Sequence, residues 1–317
     1  MRARFQGLSP VAQGILLALL AVVLWSGNFI IARKVIHQVQ PLHLAFYRWF
    51  CASILLLPLA WKHLQRERHL YWQYRMPLFW LSLTGIALFN TFVYVAGHYT
   101  SAINMALIGT TSSPLFATAM AVVFLREKIP PARLAGMVLC VTGILFLLSG
   151  GSWQKLLHLQ FGWGDLWVLA GAFAFAIYNV LVRKRPPELH PVSFLWVLFF
   201  GGTVLLLPFV GMEAMGWWQI GQGATSGTQW DLGLVGAILY LGAGTSVVSF
   251  LSWNGAIQRL GAARTVLFGN LIPIFASVEA VWLIGETMGM VHFISGGLVI
   301  LGLALANAST PGFRNAT

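Results

Sequence analysis

Two charged residues stand inside apolar runs, Arg48 in FYRWFCASILLLP and Glu279 in PIFASVEAVWLIG. Charge in such a setting is expensive and faces either a partner or water. Paired with each other, the two are structural and the carboxylate stays ionised; unpaired, Glu279 can take up a proton and couple it to other chemistry. Neutral polar residues recur nearby at helical spacing. Asn90, Tyr94 and His98 are each four apart, as are Thr245, Ser249 and Trp253, so each set forms one stripe along a helix. Asn28 in LWSGNFIIARK and Asn179 in IYNVLVRK each precede a short aliphatic run and a basic pair. An amide buried among apolar helices seeks partners, either as interhelical glue or as a donor and acceptor lining a cavity. Aromatic walls with a few polar groups are the usual make-up of a small-molecule site. The candidate substrate-binding residues are therefore Asn28, Asn90, Tyr94, His98, Asn179, Ser249 and Trp253, with Arg48 and Glu279 as coupling or structural charges. His98, near a span end, also fits a solvated histidine. Pro114 in SSPLF and Pro273 in NLIPIF fall mid-run and are candidate hinges or static kinks. Glu127 and Glu286 fall at run ends and fit caps.

Catalytic patterns are missing from the apolar runs. Neither Gly-x-Ser-x-Gly, nor His-Glu zinc spacing, nor paired aspartates, nor a Walker loop occurs, so an enzyme, a metal site, a cofactor and ATP-driven transport by this chain alone are not expected. The elements that must carry the candidate residues follow from composition: 58% of the 317 residues are apolar and 9% charged, against about 45–50% and about 25% in soluble domains. Lys and Arg outnumber Asp and Glu by 19 to 8, but the basic residues sit between apolar runs, which points to membrane topology and the lipid bilayer rather than nucleic acid. Cys51 and Cys140 lie inside apolar runs and fit small core side chains.

A membrane helix needs about 20 apolar residues, and the sequence divides into ten such stretches: 11–32, 42–61, 77–100, 103–125, 130–149, 163–184, 192–211, 233–258, 262–285 and 288–308. The first is too long for a signal peptide and is expected to stay as an uncleaved span. Pro41, Pro77, Pro130 with Pro131, and Pro191 mark helix starts. With the N-terminus inside, fifteen of the 19 Lys and Arg fall on the cytoplasmic side and only Arg33, Lys34 and Lys155 outside, so both termini are expected in the cytoplasm. Segment 212–232, with Trp217, Trp218 and Trp230 and no Lys or Arg, suits the outer interface.

Shifting the chain by 159 residues lays PLFATAMAVVFLREK (114–128) on PIFASVEAVWLIGET (273–287), Gly143 on Gly302, Asn90 on Ser249 and Tyr94 on Trp253. An adjustment of about eight residues sets Asn28 opposite Asn179. Two repeats are expected, 11–149 and 163–308, each of five helices. Because five is odd, the second enters the membrane from the other side, an arrangement typical of secondary transporters. The expected fold is an all-α membrane protein of ten helices as two inverted five-helix repeats.

These features together resemble the drug/metabolite transporter superfamily, and within it the ten-helix EamA-type exporters. The resemblance rests on the tandem halves, the LWSGNFIIARKV pattern, Arg48 in FYRWFCASILLLP, and the Pro-to-Glu blocks ending in Glu127 and Glu286. It implies export of small amphipathic metabolites across a bacterial inner membrane, aromatic amino acids among them, by a chain expected to be a monomer. Efflux of toxic compounds by proton antiport is the alternative. The second half carries Leu198 about where the first has Arg48, so the arginine has no symmetric counterpart.

Overall fold

The structure is a computed structural model describing residues 8–35, 38–96, 129–152, 162–182, 185–217, 228–284 and 289–308, with isolated residues elsewhere. Every regular element among them is helical. Backbone amides in an apolar medium must be satisfied within the segment, and a helix does this alone. We number the helices α1 (Pro10–Val35), α2 (Pro41–Gln73), α3 (Arg75–Ala96), α4 (Pro131–Leu148), α5 (Trp163–Leu181), α6 (Pro191–Ala214), α7 (Leu232–Leu260), α8 (Ala262–Phe268), α9 (Ile272–Ile284) and α10 (Met290–Ala308). The expected fourth span, with Pro114, and also His98, Glu127 and Glu286, lie outside the described residues.

Starts and stops follow local chemistry. Pro41 and Pro191 open α2 and α6, where the missing amide hydrogen costs no bond. Asp231 Oδ1 caps α7 by accepting from Leu234 N at 2.6 Å, and Gly261, at φ 84°, ends it. Among the described residues, five segments are long and apolar enough to cross a membrane: Pro10–Asn28, Pro41–Arg66, Arg75–Ala96, Pro191–Ala214 and Leu232–Leu260. Their outward faces are apolar, to the point that Leu59 is 66% exposed and Leu232 91%, which suits lipid rather than water.

Two expected boundaries are corrected. The second span was drawn to 61, but α2 continues to Gln73. Residues 62–73, KHLQRERHLYWQ, contain no Gly or Pro, so polarity ends the apolar run without ending the helix. At 33 residues and 1.5 Å rise, α2 is about 50 Å long, against about 30 Å of hydrocarbon. Glu67 fastens its projecting end to the start of α6: its carboxylate accepts from Ser193 Oγ at 2.6 Å and His190 N at 3.2 Å, and the His63 and His190 rings stack at 3.7 Å. Likewise α6 runs three residues past its drawn end, which brings Glu213 inside.

The packing is ordered in pairs. α2 lies on α6, and α4 on α10; α1 lies on α7 as α5 lies on α3. Both α3 and α7 contain a wider π-helical stretch, Ser82–Leu88 and Tyr240–Val248. The first of these packs on α6 and the second on α2. At the α4–α10 seam, Cys140 Sγ contacts Val299 O, 159 positions away, at 3.6 Å. On either side of it, a Cβ on Gly302 would lie 2.7 Å from Gly136 O, and one on Gly143 would lie 3.1 Å from Ser295 O. Small residues let the two backbones approach, as membrane helices need where lipid is as apolar as leucine.

The mid-helix proline of the ninth span is resolved differently from the expected kink. The helix is interrupted by a 3-10 turn, Gly269–Leu271, and Pro273 stands at the second position of α9 directly after it. A proline there removes no helical hydrogen bond.

Candidate functional site

The candidate site is built around Arg48. This side chain is 2% exposed and reaches from α2 to three other helices. Nε donates to Ser246 Oγ at 2.7 Å; Nη1 faces Asn28 Oδ1 at 3.1 Å, Asn90 Oδ1 at 3.0 Å and Tyr94 Oη at 3.0 Å; Nη2 donates to Thr245 O at 3.2 Å. Asn28 comes from α1, Asn90 and Tyr94 from α3, and Thr245 and Ser246 from α7. The i, i+4 spacing stacks Asn90 and Tyr94 on one face of α3. On α7 the π turn widens the helix, and the Thr245 carbonyl accepts two side-chain donors, Arg48 and the Trp25 indole at 2.9 Å.

No carboxylate lies within 4 Å of Arg48 among the described residues. Four of the acids placed there are engaged elsewhere: Glu67 with α6, Asp231 with Gln38 and its own cap, Glu213 with His43 Nδ1 at 2.8 Å, and Glu279 with Ser26 Oγ at 2.7 Å. The Arg48–Glu279 pair entertained from the sequence is therefore not made. Asn28, two residues beyond Ser26 on α1, takes the guanidinium, while Ser26 takes the carboxyl group. Ser26 Oγ also lies 2.6 Å from Val23 O, and Glu279 Oε2 is buried without a partner among the described residues.

Beside this polar junction stands an aromatic cluster. Trp25 packs on Trp253 at 4.9 Å, Phe250 at 5.6 Å and Phe175 at 6.0 Å between ring centroids. Trp253 is 1% exposed, and its indole donates to Asn179 Oδ1 at 2.9 Å. Asn179 donates in turn to Phe175 O at 2.8 Å. Ser249 is spent inside its own helix, donating to Gly244 O at 2.9 Å.

The expected residues thus divide. Asn28, Asn90, Tyr94 and Arg48 converge on one point, Asn179 and Trp253 form a second contact beside it, and Ser249 joins neither. Leu198, the counterpart of Arg48, is fully buried among apolar neighbours. Sequence reasoning missed Ser26, Ser246 and Trp25 as partners. It also gave no role to Glu213 and His43, which are bonded to each other, with Glu213 3% exposed. Both of those residues sit at the margins of the spans as drawn, so their burial had no compositional signal.

The EamA-like transporter family matches this chain twice, over residues 12–149 and 162–308. A protein of Archaeoglobus fulgidus named an uncharacterized transporter is 27% identical over 92% of this chain and 96% of its own length. A probable terminal-alkyne amino-acid exporter of Streptantibioticus cattleyicolor is 29% identical over 64% of this chain and 63% of its own. A probable amino-acid metabolite efflux pump of Salmonella typhimurium is 22% identical over 90% of this chain and 92% of its own. A solved crystal structure superposes with a TM-score of 0.72 over 94% of this chain and 97% of its own, at 18% identity, which shows the shared fold. With membrane-length helices, apolar outward faces and a buried polar junction, the chain is a multi-pass membrane protein that belongs to the EamA-like transporter family.

Proposed function

We propose that this protein is a secondary exporter of small amphipathic metabolites, amino acids with aromatic side chains foremost, working from the cytoplasm of an inner membrane by alternating access between two inverted five-helix halves. The observation that carries the proposal is the convergence of α1, α2, α3 and α7 on Arg48, next to the aromatic cluster of Trp25 and Trp253. A cation with neutral polar partners at one end and packed aromatic rings at the other matches a molecule with a polar head and an aromatic body. The paired packing of α1 on α7 and α5 on α3 supports the inverted arrangement. Relatives named amino-acid exporters and efflux pumps favour the same substrate class.

The test is flux in proteoliposomes with a panel of amino acids and other metabolites at several imposed pH gradients. Saturable flux of aromatic amino acids is expected; a panel that does not move overturns the proposal. Facilitated flux would follow if Arg48 held Glu279 ionised, but that pair is not made. The expected outcome is a flux that responds to the imposed gradient in wild type and ceases to respond in Glu279→Gln. That variant is expected to express and melt as wild type, because its amide can donate to Ser26 and no ion pair is lost. A destabilised variant would instead mark the carboxylate as structural.

Orientation is tested with single cysteines at Arg66 and Trp230, in a background lacking Cys51 and Cys140. An impermeant maleimide on intact cells is expected to label position 230 and to spare position 66.

A further inference from the structure

We propose that Arg48 is the docking point for the carboxylate of the exported molecule, a single anionic group held by Arg48, Asn90 and Tyr94. This rests on the exporter reading and assigns the substrate's charge to one named place.

The case is one of donors left over. A guanidinium has five N–H groups. Among the described residues, its two Nη1 hydrogens face three oxygens, while the two on Nη2 meet only Thr245 O. Asn90 is 4% exposed, gives its oxygen to Arg48, and leaves Nδ2 buried with no partner among the described residues. Tyr94 Oη, 3.0 Å from Nη1, receives a hydrogen bond from Arg48, so its own hydroxyl proton points elsewhere. The acceptors of the cluster are spent on the guanidinium, and what remains is an excess of N–H and O–H donors around a formal positive charge. Such a site is complete only with a group that accepts and is negative. A carboxylate does both and matches the planar fork of arginine with two oxygens.

Charge count narrows the class further. With Leu198 at the repeat-related position, the cluster holds one cation, so a monoanion neutralises it and a dianionic phosphate would leave a buried negative charge. The Thr245 carbonyl that holds Nη2 also holds the Trp25 indole. The anion position therefore adjoins the aromatic cluster, within the span of one aromatic amino acid.

A purely structural arginine gives a different forecast, and Asn90→Asp separates the two. The substitution keeps the shape of the side chain and supplies an acid directly to Arg48. It would strengthen a structural role and occupy a docking role. The experiment measures counterflow of phenylalanine and of phenylalaninamide, which differs by lacking the carboxylate, in proteoliposomes of wild type, Asn90→Asp, Arg48→Lys and Arg48→Gln. The melting temperature of each purified variant in detergent is the control for folding, and the ratio of acid to amide rates is the readout. Wild type is expected to prefer the acid by roughly tenfold or more, the usual size for a charge-assisted contact. Arg48→Lys should keep a reduced preference, and Asn90→Asp and Arg48→Gln should abolish it. Equal rates for acid and amide in wild type overturn the carboxylate site and leave the exporter standing. An unchanged preference in Asn90→Asp does the same. If neither compound moves, the exporter reading fails. The docking site then falls too unless phenylalanine raises the melting temperature of wild type above that seen with the amide and fails to do so in Asn90→Asp.

Discussion

Trp253→Ala is expected to lose about 3–5 kcal/mol of stability, the usual range for deleting a buried tryptophan. The residue is 1% exposed, packs on Trp25 with its ring tilted and donates to Asn179. Truncation opens a cavity beside Trp25 and Phe175 and leaves the Asn179 side-chain oxygen short of its donor. For a residue that only lined a cavity, transport would fall while expression held. A wall residue that also closes an aromatic core cannot be removed so cleanly. Thermal melts in detergent check the prediction, with Trp253→Phe as the comparison, since it keeps a ring and loses only the indole N–H. A wild-type melt for the alanine variant would show that the cluster contributes no packing.

The second large effect is expected at the α4–α10 seam. Gly302→Val drives a branched side chain against Gly136 O and Cys140 N, where even a Cβ would sit at 2.7 and 2.8 Å. Those are backbone atoms and cannot step aside as a side-chain end can. Overpacking of this kind costs about 1–3 kcal/mol where side chains can adjust, and this seam should reach or exceed the top of that range. Gly297→Ala, five residues earlier on the same helix, is the control. A Cβ there meets open space, and alanine is the better helix former. The melting temperature should fall steeply for the first variant and hold or rise for the second.

How much of this was legible beforehand depends on the distance over which each feature is written. Helices, their proline starts and the Asn90–Tyr94 stripe are local patterns and could be read directly. Arg48 was visible as a buried charge, but its partners Ser246 and Thr245 lie 198 and 197 positions away. Ser26 and Glu279 are separated by 253. No periodicity carries such pairings, which is why the two intramembrane charges invited an ion pair with each other. The π turns were also silent, because SLTGIAL and YLGAGTSVV are apolar, small-residue stretches that would serve an α-helix equally well. The extension of α2 shows a different limit: hydropathy reports where the lipid ends, not where the helix does.

The two π turns have a mechanical consequence. A π turn packs its hydrogen bonds less favourably than an α turn and is uncommon for that reason, so each marks the softest point of its helix. α3 and α7 are then better regarded as pairs of short rods joined by a swivel. The rod Phe89–Ala96 carries Asn90 and Tyr94, and the swivel of α7 itself carries Thr245 and Ser246. Arg48 grips both from α2, so its hydrogen bonds gauge the angles of two joints at once, and whatever replaces those bonds frees both joints together.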